Sequence, residues 1–369
     1  MKTLLVTCLI FVSSGASSVA RAEVDADFLI RRYDDQKTQV VSPHFDISGT
    51  FNKDTMKVSA SFVQDYVTSA SADVVSYSSQ GVIKEERNEV STSFETTIPD
   101  GNMSVGYIQS DEHDYHSKIV SAGGTREFFQ KNTVFSFGFA NGNDRINSSS
   151  SSTFDERMRH QVYSLSLTQI LSKTSLIQFV YDFRVENGFL ASPYRRARFV
   201  DGGGNVTIRT ENHPLTRNRN AFALKYNFFA NSVSSTFATT YRLYQDSWGV
   251  FSHTLEERMT KEFGKKLQVS FAGRYYTQSK AKFYEDYYTD TGALFYTGNK
   301  TLATFDGYMV SVRPAYNLTE KMQIYGKAEY YKQNFKDVSD QGLQISTRAD
   351  DKPLELTAFV AEVGLEAKF

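Results

Sequence analysis

The feature that most constrains this chain is a strict alternation of apolar and polar side chains, repeated in long segments. In the last residues, "TAFVAEVGLEAKF", Phe359, Val363 and Leu365 alternate with charged residues such as Glu362. A period of two predicts a β-strand with two unlike faces. The pattern continues to the terminal Phe369, although the ends of soluble domains are usually frayed. We therefore expect the final strand to be held by a partner.

The alternating segments are longer than the strands of most soluble proteins. The segment 177–186 has bulky apolar residues on one face and mostly charged residues on the other. The segments 133–140 and 267–273 have the same apolar face, opposed by small or uncharged polar residues. Strands of soluble sheets average about five or six residues, whereas the segments here reach about 10 to 15, and about 9 to 11 tilted residues cross a bilayer. The pattern therefore predicts membrane-spanning strands.

The connections between the segments alternate between tight turns and other, mostly longer, links. Residues typical of hairpin turns are found near 52–54, 99–101, 130–132, 172–174, 230–232, 263–265 and 319–321. Long polar links are expected near 68–83, 142–154, 188–215, 280–302 and 335–353, and short tips near 34–38, 111–114 and 245–248. Together these connections predict about sixteen strands.

Short turns at one rim and longer loops at the other are typical of outer-membrane barrels. In hydrocarbon an open sheet edge would leave backbone groups without partners, so the sheet must close. The last strand is then expected to pair with the first, near 24–32. We predict an all-β fold in which residues 23–369 form one transmembrane antiparallel up-and-down barrel, with short periplasmic turns and long extracellular loops.

The N-terminal residues are typical of a cleaved secretory signal. Lys2 precedes an apolar run, and small residues lead to Ala20-Arg21-Ala22, so residues 1–22 are expected to be removed. The only cysteine, Cys8, lies in this segment. The exported chain would therefore contain no disulfide, and cysteine chemistry is excluded.

Composition excludes two further classes of protein. The chain has 41 Lys and Arg against 42 Asp and Glu, and so lacks the basic excess expected of a nucleic-acid-binding protein. After the signal, no apolar stretch approaches the roughly 18 to 20 residues of a membrane helix. With 14% aromatic residues and only 6 prolines, the composition favours strands.

Five stretches resemble a known family. They are "DYVTSASADVV" (65–75), "GFLASPYRRARF" (188–199), "ENHPLTRNRNAFALKY" (211–226), "YRLYQDSWGVFSHTLE" (241–256) and "RYYTQSKAKFY" (274–284). They are similar to the family filed as domain of unknown function 3570, over essentially the whole exported chain. The resemblance implies an outer-membrane barrel and assigns no reaction. The terminal Phe369 also resembles the signal by which barrel assembly machinery recognises its substrates in Gram-negative bacteria.

The alternation places charges of both signs inside the barrel. Residues expected to face inward, and to form a constriction, are Arg184, Arg242, Arg274, Arg313, Tyr276 and Glu256. Further inward-facing residues are Asp182, Glu186, Tyr244, Arg258, Glu329, Glu362 and Glu366. Such charges either pair with one another and only stabilise the wall or sort solutes by charge. Both readings remain open.

The connection 188–212 exceeds the length of a plain loop and contains Tyr194, Arg195, Arg196 and Arg198. Folded inward, it would narrow the pore and attract anions. Folded outward, it would be a surface cap or a site for a partner.

Catalytic and metal chemistry find little support. On an extended tip, His113 and His116 would point to opposite faces, and no serine partner is evident for His253. We expect no enzymatic activity, no cofactor and no metal site.

Two functions remain. The first is a porin-like channel for small hydrophilic solutes. The second is a closed barrel that serves as a docking or assembly component for periplasmic or surface proteins. In both cases the expected partners are outer-membrane lipid and, through the C-terminal strand, the assembly machinery.

Overall fold

The computed structural model describes residues 23–35, 37–52, 54–69, 83–339 and 353–369. Its strands are β1 (Glu23–Asp34), β2 (Thr38–Phe51), β3 (Met56–Ser69), β4 (Ile83–Ile98), β5 (Gly101–Asp111), β6 (Tyr115–Phe128), β7 (Thr133–Asn147), β8 (Asp155–Ser172), β9 (Ser175–Gly188), β10 (Arg196–Val200), β11 (Val206–Thr210), β12 (Thr216–Ala230), β13 (Ser235–Asp246), β14 (Phe251–Phe263), β15 (Leu267–Gln278), β16 (Phe305–Asn317), β17 (Met322–Ser339) and β18 (Pro353–Lys368). Two short 3-10 helices span Asn231–Val233 and Lys300–Leu302.

Sixteen of these strands form a closed antiparallel barrel in which each strand pairs with its neighbours in the chain, apart from the hairpin β10–β11 between β9 and β12. The expected pairing of the first and last strands is confirmed: β1 and β18 are in register from Asp25 opposite Lys368 to Asp34 opposite Phe359. The Phe369 backbone N–H donates to the Val24 carbonyl oxygen at 2.8 Å. The end of β18 is therefore held by the wall, as the alternation predicted.

All seven predicted tight turns connect adjacent strands, and they lie at one rim together with the start of β1 and the end of β18. Several depend on residues that tolerate a positive φ. Asp100 and Ser234 have φ of 55° and 46°, and Gly264 has φ of 66°. These left-handed positions turn the chain within a few residues. We call this end the short-turn rim and the opposite end the long-loop rim.

The long links differ in part from their predicted limits. β7 continues to Asn147 and β17 to Ser339, so both strands extend further than predicted. The link 188–215 was predicted only as a long polar link, and the structure shows that it contains the hairpin β10–β11. The expected signal peptide at residues 1–22 and the centres of two predicted links, 70–82 and 340–352, lie outside the described residues.

The outer face of the barrel carries an apolar band between two rows of aromatic side chains. Exposed apolar residues of the band include Phe28, Phe137, Leu165, Leu224, Phe271 and Val363. Tyrosines toward the long-loop rim are Tyr66, Tyr107, Tyr163, Tyr241, Tyr275, Tyr308 and Tyr330, and aromatic residues toward the short-turn rim are Phe51, Phe128, Phe263 and Tyr316. This is the arrangement of aromatic girdles at the two interfaces of a membrane.

Among the described residues, no helix has the length and apolar character needed to span a membrane.

Candidate functional site

The inner face of the barrel is divided into an acidic wall and a basic wall. On β1–β7, strand alternation and register place these carboxylates inward: Asp25, Asp27, Asp46, Asp65, Glu85, Glu89, Glu95, Glu127 and Asp144. The inward-facing Lys and Arg on the same strands are Arg31, Lys57 and Arg87. We call β1–β7 the acidic wall because carboxylates outnumber cations there.

The opposite arc, β9 with β12–β16, has the reverse balance. Its inward cations are Arg184, Arg217, Arg219, Lys225, Arg242, Arg258, Arg274 and Arg313. Its inward carboxylates are Asp182, Glu186, Asp246, Glu256 and Glu262. In the order of strands around the barrel, β14 lies opposite β4, so this basic wall faces the middle of the acidic wall across the lumen.

Arginines of the basic wall share carboxylates. Arg184 Nε and an Arg219 guanidinium nitrogen lie 2.9 and 2.7 Å from the two oxygens of Glu186. Arg258 and Arg274 both donate to Glu256, at 2.9 and 2.6 Å. Each of these two clusters contains two guanidinium groups and one carboxylate. It therefore retains one excess positive charge, which must be solvated within the lumen.

The other residues predicted at a constriction also face inward. The Arg242 guanidinium lies over the Tyr244 ring at 5.7 Å, and that of Arg313 lies over the Tyr325 ring at 4.3 Å. Arg313 is also 3.8 Å from Glu366. The Tyr276 hydroxyl donates to Gln278 at 2.5 Å. These residues lie on several strands and at different heights in the barrel.

A chamber opens off the lumen near the short-turn rim, where β1–β4 meet β18. Its volume is about 550 Å³, and its lining combines carboxylates and hydroxyl groups with two lysines. The charged lining residues are Asp25, Asp27, Asp46, Glu366, Lys57 and Lys368, and the serines are Ser48, Ser59, Ser61, Ser91 and Ser93. The Asp25 Oδ1 atom is buried and has no hydrogen-bond partner among the described residues. The chamber is therefore a polar cavity that suits water or a hydrophilic solute.

The links at the long-loop rim fold together against inward-facing side chains of β13–β18. Their buried core, here called the mouth cluster, comprises Trp248, Val250, Ala281, Tyr284, Leu302, Ala303, Phe305, Phe335, Val338 and Leu354. Phe305 and Phe335 belong to the wall, whereas Trp248 and Tyr284 belong to links. The cluster covers one side of the mouth of the barrel.

Buried polar contacts stabilise the mouth cluster. Trp248 Nε1 donates to the Thr216 carbonyl oxygen at 2.9 Å, and the Arg217 guanidinium lies 4.2 Å from the Trp248 ring centroid. Arg217 also pairs with Asp246, whose side chain is fully buried. Asp246 accepts further hydrogen bonds from Tyr244 at 2.8 Å and from the Val250 N–H at 3.0 Å. Since every oxygen of Asp246 is used, this carboxylate is a structural anchor.

The link 188–215 packs on the link between β15 and β16. Phe199 of the hairpin is buried, and its ring lies 5.0 Å from that of Tyr288. Arg198 is buried and 3.0 Å from Asp286. Arg196 donates to Thr210 within the hairpin at 2.7 Å, and Arg195 is exposed. The arginines predicted for an inserted loop thus have different surroundings, and Arg198 serves to join the two links.

Tyr194 reaches across the mouth. Its hydroxyl donates to the Asp114 carboxylate at the tip between β5 and β6. It also accepts from the Ser149 N–H in the link between β7 and β8, at 2.8 Å. The link 188–215 is therefore joined to both sides of the barrel mouth.

Asp114 belongs to a group of three carboxylates whose oxygens lie within 4.8 Å of one another, together with Glu85 and Glu112. Burial and the neighbouring Glu112 and Asp114 raise the pKa of Glu85 to about 7. Burial also raises the pKa of Glu112, although Arg87 opposes the shift. The sequence drew attention to the histidines of this tip, whereas the structure brings carboxylates together there. The register of β4 and β5 could have identified this group. When the ladder is continued beyond the pair of Asn88 and Asp111, residues 85 and 114 lie opposite each other.

His213 is a buried residue that the sequence did not single out. It lies between the rings of Trp248 and Phe283, at 5.2 and 5.4 Å, and its Nε2 is 3.5 Å from Glu211. Burial lowers the pKa of His213, although Glu211 opposes the shift. His253, which was considered as a catalytic group, lies on the outer face with Nδ1 2.6 Å from the Tyr241 hydroxyl.

Comparison with solved structures supports the fold. The "Bacterial polysaccharide outer membrane secretin" superposes with a TM-score of 0.50 at 8% identity, over 94% of this chain and 98% of that chain. "CdiB from Acinetobacter baumannii" gives a TM-score of 0.50 at 8% identity, over 92% of this chain and 60% of that chain. At these identities the similarity establishes only the shared outer-membrane barrel fold.

No curated protein sequence matches the chain. The sequence profile described as "Protein of unknown function (DUF3570)" matches residues 76–163 and 149–348, which include four of the five stretches that suggested the resemblance and overlap none of the signal segment. More than half of the chain is covered, and the closed barrel agrees with what the resemblance implied. The chain therefore belongs to the DUF3570 family.

Proposed function

We propose that this protein is a channel of the bacterial outer membrane for small hydrophilic solutes. The observation that carries the proposal is the lumen, whose two charged walls face each other and whose chamber of about 550 Å³ is lined by carboxylates and hydroxyl groups. A barrel of this number of strands is wide enough for an aqueous channel. Charges that share partners, as around Glu186 and Glu256, are stable only if water reaches them.

The outer face supports the location. Its apolar band between aromatic rows fits a bilayer, and closure of β1 on β18 satisfies the backbone groups that hydrocarbon would leave without partners. Export through a cleaved N-terminal signal and insertion by the assembly machinery complete the proposal. It requires no enzymatic activity and no cofactor.

The mouth cluster narrows the entrance without needing to close it. It lies along β13–β18, and Tyr194 extends from the link 188–215 to Asp114 on the other side. Solutes would pass beside this bridge. The proposed channel is therefore narrower at the long-loop rim than the barrel wall alone would allow.

Planar bilayer recording of the detergent-purified barrel tests the proposal. We expect stepwise conductance that changes when Arg274 is replaced by Gln, because this residue faces the lumen. The matched control is Lys332→Gln, a change on the outer face where Lys332 pairs with Glu355 at 3.0 Å; it should leave conductance unaltered. A folded barrel with no conductance, or equal effects of both variants, would contradict a channel through the lumen.

A second function, a closed barrel that docks periplasmic or surface proteins, is favoured by one observation. The mouth cluster buries large apolar side chains over the lumen, as a permanent seal would. This function predicts a folded barrel that blocks ion flow and co-purifies with a protein partner. The same recording, with analysis of the co-purified proteins, separates the two functions.

A further inference from the structure

We propose that the lumen favours solutes that carry a positive and a negative group together, such as amino acids and other small zwitterions. This inference rests on the proposed channel function and names its substrate class. The cationic group would pass along the acidic wall of β1–β7, and the anionic group would pass along the basic wall of β9 and β12–β16.

The basic wall offers positive charge that its own carboxylates do not balance. Glu186 is shared by Arg184 and Arg219, and Glu256 is shared by Arg258 and Arg274. If the arginines served only to stabilise the wall, we would expect one carboxylate for each arginine, so that the charges balance. The surplus guanidinium groups instead present donors suited to a solute carboxylate.

The acidic wall offers the opposite charge. Asp25 and Asp46 line the chamber, and Asp25 Oδ1 is buried without a hydrogen-bond partner among the described residues. Lys57 and Lys368 also line the chamber and offset part of its charge. Serine hydroxyl groups supply the remaining polar contacts. An ammonium group would therefore find acceptors on this side.

The arrangement of the two walls determines whether the lumen selects ions of one sign or solutes that carry both signs. A lumen with one sign of charge throughout would simply prefer ions of the opposite sign. Here the two signs lie on opposite sides of the ring of strands, with β4 across from β14. The field between them runs across the lumen and orients a solute that carries both charges, while a neutral solute gains nothing.

Swelling of liposomes that contain the full-length protein tests the inference. The probes are glutamine, which is zwitterionic, and ribose, which is neutral and of similar size. We expect glutamine to enter faster than ribose. Removing two charges from the acidic wall with Asp25→Asn and Asp46→Asn together, or one charge from the basic wall with Arg242→Gln, should each lower the ratio of the glutamine entry rate to the ribose entry rate, by about threefold or more.

The control is Glu355→Gln, which removes a charge from the outer face and should preserve the ratio. Each variant must retain the mobility of the folded barrel on gels before heating. If the glutamine and ribose entry rates are nearly equal in the unaltered protein, or if substitutions in only one wall change their ratio, the inference is overturned but the proposed channel function is not. If neither solute enters, both the channel and the inference are overturned.

Discussion

The Tyr194 hydroxyl donates a hydrogen bond to the Asp114 carboxylate, and this contact joins the long link after β9 to the tip between β5 and β6. Asp114 lies beside Glu85 and Glu112. The bridge across the mouth thus ends in a group of carboxylates that cannot all be ionised without repulsion.

Stability of this bridge should depend on pH. The pKa of Glu85 is raised to about 7 in the folded protein, so the folded state binds a proton more tightly than the unfolded chain does. Its contribution is therefore fully present in acid and is lost as the pH rises from about 4.5 through about 7. We expect hydrogen exchange at the β5–β6 tip to be slow at pH 5 and faster at pH 8, beyond the intrinsic change in exchange chemistry.

Glu85→Gln should remove this pH dependence, because the amide stays neutral. Glu86→Gln is the matched control, since its side chain lies on the other face of β4 and accepts from Gln64. Equal pH dependence in the Glu85→Gln variant and the unaltered protein would show that another group is responsible.

Gly364 faces the lumen and Gly326 faces outward on the neighbouring strand, and together they provide a paired test of packing against Tyr325. A Cβ at Gly364 would lie 2.3 Å from the Tyr325 ring, whereas one at Gly326 would lie 3.6 Å from the nearest atom, the Glu362 carbonyl oxygen. Gly364→Ala must displace Tyr325 from Asp27 and Arg313, and is expected to lower the unfolding temperature of the purified barrel. Gly326→Ala should leave it nearly unchanged. Comparable melting of the two variants would mean that Tyr325 moves aside at little cost.

The buried carboxylate of Asp246 should keep the links of the mouth cluster folded. Asp246→Ala leaves Arg217 buried without its carboxylate, and breaking a buried pair from one side costs on the order of 3–5 kcal/mol. We expect faster proteolysis in the links at the long-loop rim, with the wall still folded. Asp155→Ala, which breaks the exposed pair with Arg145, should not increase cleavage. If both variants resist the protease equally, the pair does not hold the links.

Replacing Phe369 tests whether its side chain is recognised during assembly, separately from its part in folding. Its side chain is 71% exposed, while its backbone bonds to Val24. Phe369→Ala keeps the backbone bond, so refolding in detergent should be normal, whereas the amount inserted in cells should fall. The measurement is the heat-shifted band on gels of membrane fractions and of refolded protein. Undiminished insertion would argue against recognition of this side chain.

The wall of the barrel could be predicted from sequence because period-two alternation and turn residues are local signals. The strand count, the seven tight turns and the pairing of β1 with β18 all follow from them. The inward position of residues such as Arg184 and Arg274 follows too, because closure of the sheet fixes which face is the lumen.

The long-loop rim could not be predicted in the same way. The hairpin β10–β11 is short, and its partner Tyr288 lies far along the chain. His213 is buried between Trp248 and Phe283 only because separate links meet there. To predict the acidic and basic walls, the order of strands around the barrel must also be known. The charges of each wall are spread over several strands, so no single segment of the sequence reveals the division.

The seam between β1 and β18 has a kinetic consequence. Hairpins along the wall can form as soon as their two strands exist, but the ladder from Asp25–Lys368 to Asp34–Phe359 joins the most distant parts of the chain. Contacts of such separation form late. A synthetic peptide with the sequence of β18 would therefore compete for β1 during this interval, trapping an unfinished barrel, and would have no effect on one already sealed.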